Sequence, residues 1–220
     1  MKDNAQAYGD DRYFTSLAVA FVRGKVKTLP PGLSSEEILE AGVASGLRLH
    51  KFKRNTELSR VRKVLGIIQG LRPASLLDIG SGRGTFLWPL LDTFPHLRIT
   101  AIDINPLRVA DINAVRAGGI SNLQSLLMDA TEMDLEDNSV DVVTALEVLE
   151  HIASPQRAAS EAVRVAKDFV VASVPSKEDD NPEHIHLFDR QGFESLFLTS
   201  GAKSVKIDFV LNHMIAVARV

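Results

Sequence analysis

The stretch that decides the fold is Ser75-Leu-Leu-Asp-Ile-Gly-Ser-Gly-Arg-Gly-Thr-Phe86. Its first five residues form a short, mostly apolar run, which predicts a strand over 75–79 that is buried on both faces. Glycines follow at Gly80, Gly82 and Gly84, and a helix is predicted after them. Glycine adopts positive φ and has no Cβ, so such a loop lets the backbone approach a ligand closely. A strand, a glycine loop and a helix in this order are typical of nucleotide sites, although the dinucleotide fingerprint has a different spacing, G-x-G-x-x-G.

From Arg72 onward the sequence alternates between strand-like and helix-like segments. Strands are predicted near 75–79, 98–103, 123–128, 140–145, 168–174, 203–209 and 213–219, and helices near 84–94, 106–117, 155–166 and 189–199. Such alternation predicts right-handed crossovers and a mostly parallel sheet with helices on both faces. The last two strands are joined by too few residues for a parallel crossover, so we expect that pair to be antiparallel. The predicted fold class is therefore α/β, a Rossmann-like doubly wound sheet of seven strands.

A helical segment is predicted ahead of the sheet, with helices near 13–22, from Ser34 to about Gly46, and over 58–69. Ser34 is followed three residues later by Glu37, which predicts a capping box. We therefore divide the chain into two parts. Residues 1–70 are expected to form a helical cap or substrate-side segment, and residues 71–220 the ligand-binding domain.

Charge is unevenly distributed between these two parts. The net charge is −3, which gives no bulk attraction to nucleic acid. Residues 1–70 nevertheless carry 12 Lys and Arg against 7 Asp and Glu. The densest basic strip is 48–54, Arg-Leu-His-Lys-Phe-Lys-Arg. We interpret it as a solvated face whose long stems cover apolar surface, with a phosphate-contacting patch as the alternative.

Other features of the composition exclude several classes of protein. There is no cysteine, which excludes disulfides, thiolate metal sites and a cysteine nucleophile. The N-terminal residues lack the apolar region of a secretory signal, and no apolar run approaches the roughly 18 residues of a membrane span. We therefore expect a cytoplasmic protein that does not engage a membrane.

The pattern Asp78-x-Gly80-x-Gly82-x-Gly84 resembles the first motif of the class I S-adenosylmethionine-dependent methyltransferases. The resemblance extends over about residues 71–220. It implies a seven-stranded sheet with its final strand reversed and S-adenosylmethionine as the cofactor. The implied reaction is in-line transfer of a methyl group to a small-molecule acceptor, and the sequence leaves the acceptor atom open between O, N, C and S. The implied cofactor-binding residues are Asp78, Gly80, Ser81, Gly82, Gly84, Asp103, Ile104, Asp129, Ala130 and Glu147.

One of these carboxylates, Asp103, has a physical argument of its own. Asp103 ends the second strand about 20 residues beyond the glycine loop, where nucleotide folds place a carboxylate against the ribose hydroxyls. Its alternative role is a helix cap, but Asn105 already fits that position ahead of Pro106. Asp129 follows the third strand. The resemblance assigns Asp129 to the adenine amino group, with an ordinary loop aspartate as the alternative.

The segment Glu147-Val-Leu-Glu-His151 resembles the fourth motif of the family. If it forms one helical turn, Glu147, Glu150 and His151 share a face. His151 is then a candidate general base. His184 and His186, in the long polar loop after the fifth strand, are further candidates, because an imidazole titrates near neutral pH. We name His151 and His186 as the catalytic candidates.

Two other functions stay open. Two carboxylates and imidazoles also suit a divalent metal. The resulting alternative set, Glu147, Glu150, His151 and His186, resembles the metal site of RNA 3′-terminal 2′-O-methyltransferases, although we expect no metal and no nucleic-acid partner. A second alternative is a module that binds S-adenosylmethionine without catalysis. The glycine spacing argues against an NAD-dependent oxidoreductase, and the oligomeric state is left open.

Overall fold

The computed structural model describes residues 14–54, 58–178 and 180–220, and it shows a seven-stranded sheet with helices on both faces. The strands are β1 Ser75–Ile79, β2 Arg98–Asp103, β3 Leu123–Leu127, β4 Val140–Leu146, β5 Ala166–Pro175, β6 Ser204–Val210 and β7 His213–Arg219. The helices are α1 Thr15–Lys25, α2 Ser35–Ala44, α3 Ser59–Leu71, α4 Leu87–Thr93, α5 Pro106–Ala117, α6 Pro155–Val165 and α7 Arg190–Thr199. Short 3₁₀ turns cover His50–Phe52 and Leu149–His151. Tyr13, where the first helix was predicted to begin, lies outside the described residues.

The strand order is β3-β2-β1-β4-β5-β7-β6, which confirms the predicted fold class. The sheet pairs are parallel except those of β7, which runs antiparallel to both β5 and β6. One edge of the sheet therefore holds the carboxyl ends of β1 to β5. It also holds the start of β7, where His213 pairs with Pro175. This carboxyl edge is where open α/β sheets bind ligands.

Strand alternation divides the core between the two faces of the sheet. Leu76 and Leu77 are both fully buried, and they belong to different hydrophobic clusters. The first face is covered by α3, α4 and α5, with α1 packed outside α5. The second face is covered by α6 and α7. No helix in the described ranges is both long and apolar enough to cross a bilayer.

The N-terminal helices are joined to the sheet by a continuous core. The predicted capping box of α2 is confirmed: Glu37 donates its N–H to Ser34 Oγ at 3.3 Å, and the Ser34 N–H bonds Glu37 Oε2 at 2.7 Å. Helix α1 lies against α5 with the two backbones in close approach. A Cβ at Gly24 would overlap the carbonyl of Ala114, and one at Gly118 would overlap that of Ala20. These glycines allow the two helices to meet without side chains between them.

The basic strip is part of this packing. Phe52 is completely buried, with its ring centroid 5.3 Å from that of Phe21 and 5.0 Å from that of Trp88. Lys51 forms an ion pair with Asp111 on α5, and Arg54 pairs with Asp92 on α4 at 2.8 Å. The strip is a solvated face, as interpreted: Lys53 and Arg54 are exposed, and Lys51 is half-buried over the Phe21 ring. The burial of Phe52 within it was not predicted.

Candidate active site

The glycine loop after β1 has the backbone conformation that its composition predicts. Gly80, Gly82 and Gly84 have φ values of 66°, 55° and 86°. A Cβ on Gly80 would lie 2.6 Å from a methyl group of Val148, and one on Gly84 would overlap the Trp88 indole. The predicted helix begins at Leu87 rather than near residue 84, because a left-handed residue cannot occupy a right-handed helix.

Asp78 lies beneath this loop and is almost completely buried. Its carboxylate accepts hydrogen bonds from Ser81 Oγ at 2.6 Å and from Thr144 Oγ1 at 2.8 Å. Burial raises the pKa of Asp78 to about 6; the two hydroxyl donors oppose this rise, and the charge of Asp103 adds to it. In this position Asp78 and Ser81 brace the loop, and their predicted contact with a cofactor stays a prediction.

Asp103 connects the loop to the following strand–helix turn. Its Oδ2 accepts the N–H of Gly82 at 3.0 Å, and its Oδ1 accepts the N–H of Asn105 at 2.8 Å. Asn105 caps α5 by accepting the N–H of Leu107 at 3.0 Å, as predicted. Asp103 is therefore more engaged with the backbone than expected. Each carboxylate oxygen has two acceptor positions, so one on each oxygen remains for a ligand hydroxyl.

A groove of about 350 Å³ opens at the carboxyl ends of β1, β2 and β3. It brings together five of the predicted cofactor-binding residues: Gly80, Asp103, Ile104, Asp129 and Ala130. Ile104 is 72% exposed and provides an apolar surface. Asp129 Oδ1 accepts both the N–H and the hydroxyl of Thr131, at 2.7 and 2.8 Å, and these bonds hold its pKa below the usual range. Apolar walls with two carboxylates suit a nucleoside, whose hydroxyl and amino groups donate hydrogen bonds.

The segment after β4 differs from its prediction. The expectation that 147–151 forms one helical turn is wrong, because Glu147 is left-handed with φ 56° and the 3₁₀ turn covers only Leu149–His151. A non-glycine residue in this region costs energy that its surroundings must offset. Two sets of hydrogen bonds offset this energy. The backbone N–H of Glu147 bonds the carbonyl of Ser173 at 2.9 Å, and the side chain of Glu147 is also hydrogen-bonded.

The Glu147 carboxylate belongs to a polar cluster that the sequence analysis did not find. Oε1 accepts the hydroxyl of Ser173 at 2.7 Å, and Oε2 lies 3.0 Å from His213 Nε2 and 3.9 Å from Arg60 Nε. We call Arg60, Glu147, Ser173 and His213 the Glu147 cluster. Its members come from α3, β5, β7 and the end of β4, so no spacing along the chain links them. The predicted reversal of the last strand was the one available signal, since it places His213 at the carboxyl edge.

The two predicted catalytic histidines are not part of the Glu147 cluster. His151 Nδ1 is 2.8 Å from the carbonyl of Glu183, and His186 Nε2 is 3.0 Å from the carbonyl of Ile152. Because a carbonyl only accepts, each of these nitrogens carries the proton. His151 borders the groove described above.

The alternative metal set is not assembled. Potential ligand atoms of Glu150, His151 and His184 lie within 4.8 Å of one another. Glu147 bonds Ser173 and His213, and His186 bonds Ile152. Only two of the four predicted ligands therefore belong to the group that the structure brings together. Glu147 is separated from Glu150 and His151 because the helical turn that would place the three on one face does not form.

A second cavity, of about 360 Å³, lies between α3, α4 and the basic strip. It borders the glycine loop at Gly84. Its walls include Leu58, Val61 and Trp88, and its rim carries Lys53 and Arg83. The volume is that of a small-molecule site.

Residues 77–169 match a family model described as a methyltransferase domain. This match covers less than half of the chain. The matched region contains the glycine loop, Asp103, Asp129 and the Glu147–His151 segment. This match agrees with the resemblance seen in the sequence.

Two relatives that the chain resembles are O-methyltransferases. It is 33% identical over 89 residues to the ubiquinone biosynthesis O-methyltransferase of Cupriavidus pinatubonensis, covering 40% of this chain and 35% of that protein. It is 30% identical over 112 residues to the malonyl-[acyl-carrier protein] O-methyltransferase of Geobacter sulfurreducens, covering 49% and 41%. The chain thus spans less than half the length of these curated relatives.

The fold of the chain also matches solved structures. A S-adenosylmethionine-dependent methyltransferase from Aquifex aeolicus superposes with a TM-score of 0.61 at 21% identity. The match covers 82% of this chain and 97% of that one. At this identity the likeness concerns the fold.

Proposed function

We propose that the protein transfers a methyl group from S-adenosylmethionine to an oxygen atom of a small-molecule acceptor. The observation that carries this proposal is the groove at the carboxyl edge, where Gly80, Asp103, Ile104, Asp129 and Ala130 converge. The choice of oxygen is supported by the O-methyltransferase relatives. Because these five residues line one groove, their position supports the cofactor-binding roles predicted for them.

The groove suits the nucleoside part of S-adenosylmethionine. Asp103 is available to the ribose hydroxyls and Asp129 to the adenine amino group, while Ile104 and Ala130 provide apolar contact for the ring. Gly80 allows close backbone approach, since a Cβ there would already collide with Val148. Asp103 and Asp129 also give the groove a negative potential that favours a cationic cofactor.

The bound donor supplies an activated methyl group on a sulfonium. The protein then contributes alignment of the acceptor, exclusion of water and, for a hydroxyl acceptor, removal of a proton. None of these contributions requires a covalent intermediate, so the absence of cysteine is no obstacle. Residues 1–70 are proposed to form the cap on the acceptor side.

Charge and cavity size support a small acceptor rather than RNA. Residues 71–220 carry the acidic excess of the chain, which disfavours a long polyanion across the carboxyl edge. Lys51 and Arg54 of the basic strip are paired with Asp111 and Asp92, so their charges are already used. The cavity beside Gly84 has a volume appropriate to a small molecule.

Metal-dependent RNA 2′-O-methylation is a second candidate function. It is favoured by one observation, the proximity of Glu150, His151 and His184. Imidazole and carboxylate ligands suit several divalent ions. It is the weaker candidate because two of the four expected ligands bond elsewhere.

Calorimetry and a methyl-transfer screen test the proposal in two steps. Titration with S-adenosylmethionine and with S-adenosylhomocysteine should give micromolar affinity, about −8 kcal/mol, whereas NAD should give no heat. Labelled donor should then transfer its methyl group to a member of a panel of phenols, hydroxy acids, amines and RNA. No binding of either cofactor would refute the assignment. Binding without transfer would support the non-catalytic module, and transfer to RNA alone would support the second candidate.

A further inference from the structure

We infer that His213 is the general base of the reaction and that Glu147 positions its imidazole. This inference rests on the proposed O-methyl transfer and deepens it. His213 lies outside the segments that the sequence analysis used for function. The inference depends on where the Glu147 cluster lies, on which nitrogen of His213 is protonated, and on the positions of the other histidines.

The Glu147 cluster lies next to the groove along the carboxyl edge. With the nucleoside part held at Asp103 and Asp129, on β2 and β3, as proposed, the rest of the donor would extend across the glycine loop toward β4. Val148 packs on Gly80, and the preceding residue is Glu147. Ser173 and His213 follow on β5 and β7, the next two strands of the sheet. The cluster is thus on the methyl-transfer side of the loop.

Strand alternation orients the side chains of the cluster toward the first face. Ser173 pairs with Ile215, which is buried in the core of that face, and His213 is two residues before Ile215 on the same strand. Ser173 and His213 therefore lie on one face. Arg60 reaches them from α3, the helix that covers this part of the face.

The hydrogen bonds of the cluster fix the tautomer of His213. Glu147 Oε2 is 3.0 Å from Nε2, and an ionised carboxylate only accepts, so Nε2 carries a proton. In the neutral imidazole Nδ1 is then an unprotonated acceptor. The structure gives Nδ1 no hydrogen-bond partner among residues 14–54, 58–178 and 180–220. The side chain of His213 is 24% exposed, so a small acceptor can reach it.

Glu147 is itself held in place from two directions. Its carboxylate accepts the Ser173 hydroxyl at 2.7 Å, and its backbone N–H bonds the Ser173 carbonyl at 2.9 Å. These bonds accompany the left-handed backbone at φ 56°, a conformation that costs energy and is often found at functional sites. The arrangement of a carboxylate, an imidazole and a free acceptor nitrogen is the general pattern of an oriented base.

The proposed step is balanced in protons and electrons. An acceptor hydroxyl donates its proton to Nδ1 as its oxygen forms a bond to the methyl carbon. The bond from carbon to sulfur breaks, and the sulfur keeps the electron pair as a neutral thioether. The imidazolium, stabilised by Glu147, releases its proton to water before the next cycle.

The other candidate bases are less well placed for this step. His151 borders the nucleoside groove, where Asp103 and Asp129 also lie. His186 donates from Nε2 to the carbonyl of Ile152, on the segment beyond His151. Each of these imidazoles donates to a backbone carbonyl, whereas that of His213 is oriented by the Glu147 carboxylate.

The tautomer is tested by NMR on the full chain saturated with S-adenosylhomocysteine. Long-range ¹H–¹⁵N spectra of ¹⁵N-histidine-labelled protein should show His213 with Nε2 protonated and Nδ1 unprotonated, assigned by its loss in His213→Gln. Glu147→Gln should change this signal, whereas His96→Gln, at an exposed loop residue, should leave it unchanged. A His213 protonated at Nδ1 would contradict the inference.

The kinetic test uses labelled S-adenosylmethionine and two acceptor phenols. One is a simple phenol, un-ionised at assay pH as tyrosine is, with a pKa of about 10. The other is a nitrophenol that is ionised at that pH. His213→Gln should lower kcat for the simple phenol about 100-fold or more, and should affect the nitrophenol much less, because its proton is already gone. Glu147→Gln should give the same pattern, with partial recovery in Glu147→Asp, and His96→Gln should match wild type.

Each other outcome has a distinct meaning. Equal losses for both phenols, with normal cofactor affinity, would make the cluster structural and overturn the inference. A raised KM for S-adenosylmethionine with unchanged kcat would assign Glu147 to the donor instead. A wild-type protein that methylates no oxygen acceptor would overturn the proposed function, and this inference with it. If wild type methylates an oxygen acceptor and His213→Gln does so at the same rate, only the inference is overturned.

Discussion

Asp78 makes the stability of this protein depend on pH in an unusual direction. Its pKa is about 6 in the folded state, against 3.8 for an unperturbed aspartate, chiefly because of burial. A raised folded pKa contributes stability that is fully present below the unfolded value and is lost as pH rises through the folded value. Each unit of difference corresponds to about 1.4 kcal/mol, so ionising this buried carboxyl costs about 3 kcal/mol. Most of that loss falls between about pH 4 and pH 6.

The test is urea denaturation of wild type and Asp78→Asn between about pH 4.5 and pH 7.5. An asparagine can accept from one of Ser81 and Thr144 and donate to the other, and it does not titrate. The free energy of unfolding of wild type, minus that of the variant, should fall by about 2 kcal/mol over this range. Asp141→Asn is a control that should show no slope over this range. Burial opposes the ionised form of Asp141, but backbone N–H donors from Ala74 and Ser75 outweigh it and lower its pKa, so its stabilisation is lost only as pH falls below about 4. Parallel wild-type and Asp78→Asn profiles would refute the reasoning.

Four further predictions concern the site. Gly80→Ala should lower the free energy of unfolding by about 1–3 kcal/mol in urea melts, because φ is 66° and Val148 would be too close to the added Cβ. Its control is Gly66→Ala, in the middle of α3 with open space around it, which should be neutral or stabilising. Asp103→Asn should lower the affinity for S-adenosylmethionine about 10- to 100-fold in calorimetry. Glu40→Gln on α2 is the control, and an Asp103→Asn variant with the affinity of wild type would contradict the prediction. Activity should survive EDTA; complete loss restored by manganese or magnesium would instead favour the RNA candidate. RNA binding in gel shifts should be weak at low and high salt alike, and a tight complex lost on raising salt would contradict it.

Local sequence patterns were sufficient to predict most of the fold. The bounds of β1, β2 and β7 agree with prediction, because each is an apolar run ended by a clear turn or charged residue. Strand β5 begins at Ala166, two residues before its predicted start, since α6 runs into it without a loop. The glycine loop and Asp103 were predicted because their spacing is set by one strand–loop–helix unit and its neighbour.

The parts of the site that were missed depend on contacts between distant segments. Glu147 adopts a left-handed backbone although nothing in Glu-Val-Leu-Glu-His excludes a helix. Its partners Ser173 and His213 are 26 and 66 residues away, and a pairing at that distance is decided by the register of β4, β5 and β7. The burial of Phe52 and the ion pair of Lys51 with Asp111 were missed for the same reason.

The glycine contacts between α1 and α5 limit which segments of this protein can be exchanged for those of a relative. Gly24 and Gly118 allow backbone to meet backbone, so a larger residue at either of these two positions would push the helices apart. A chimera that receives its first helix from another methyltransferase would keep this junction only if small residues were preserved at both positions. Removal of α1 would uncover the backbone of α5 at Ala114, against which Gly24 now packs. Attempts to change acceptor preference by exchanging N-terminal segments should therefore leave residues 15–25 in place and vary α3, whose Arg60 reaches the Glu147 cluster.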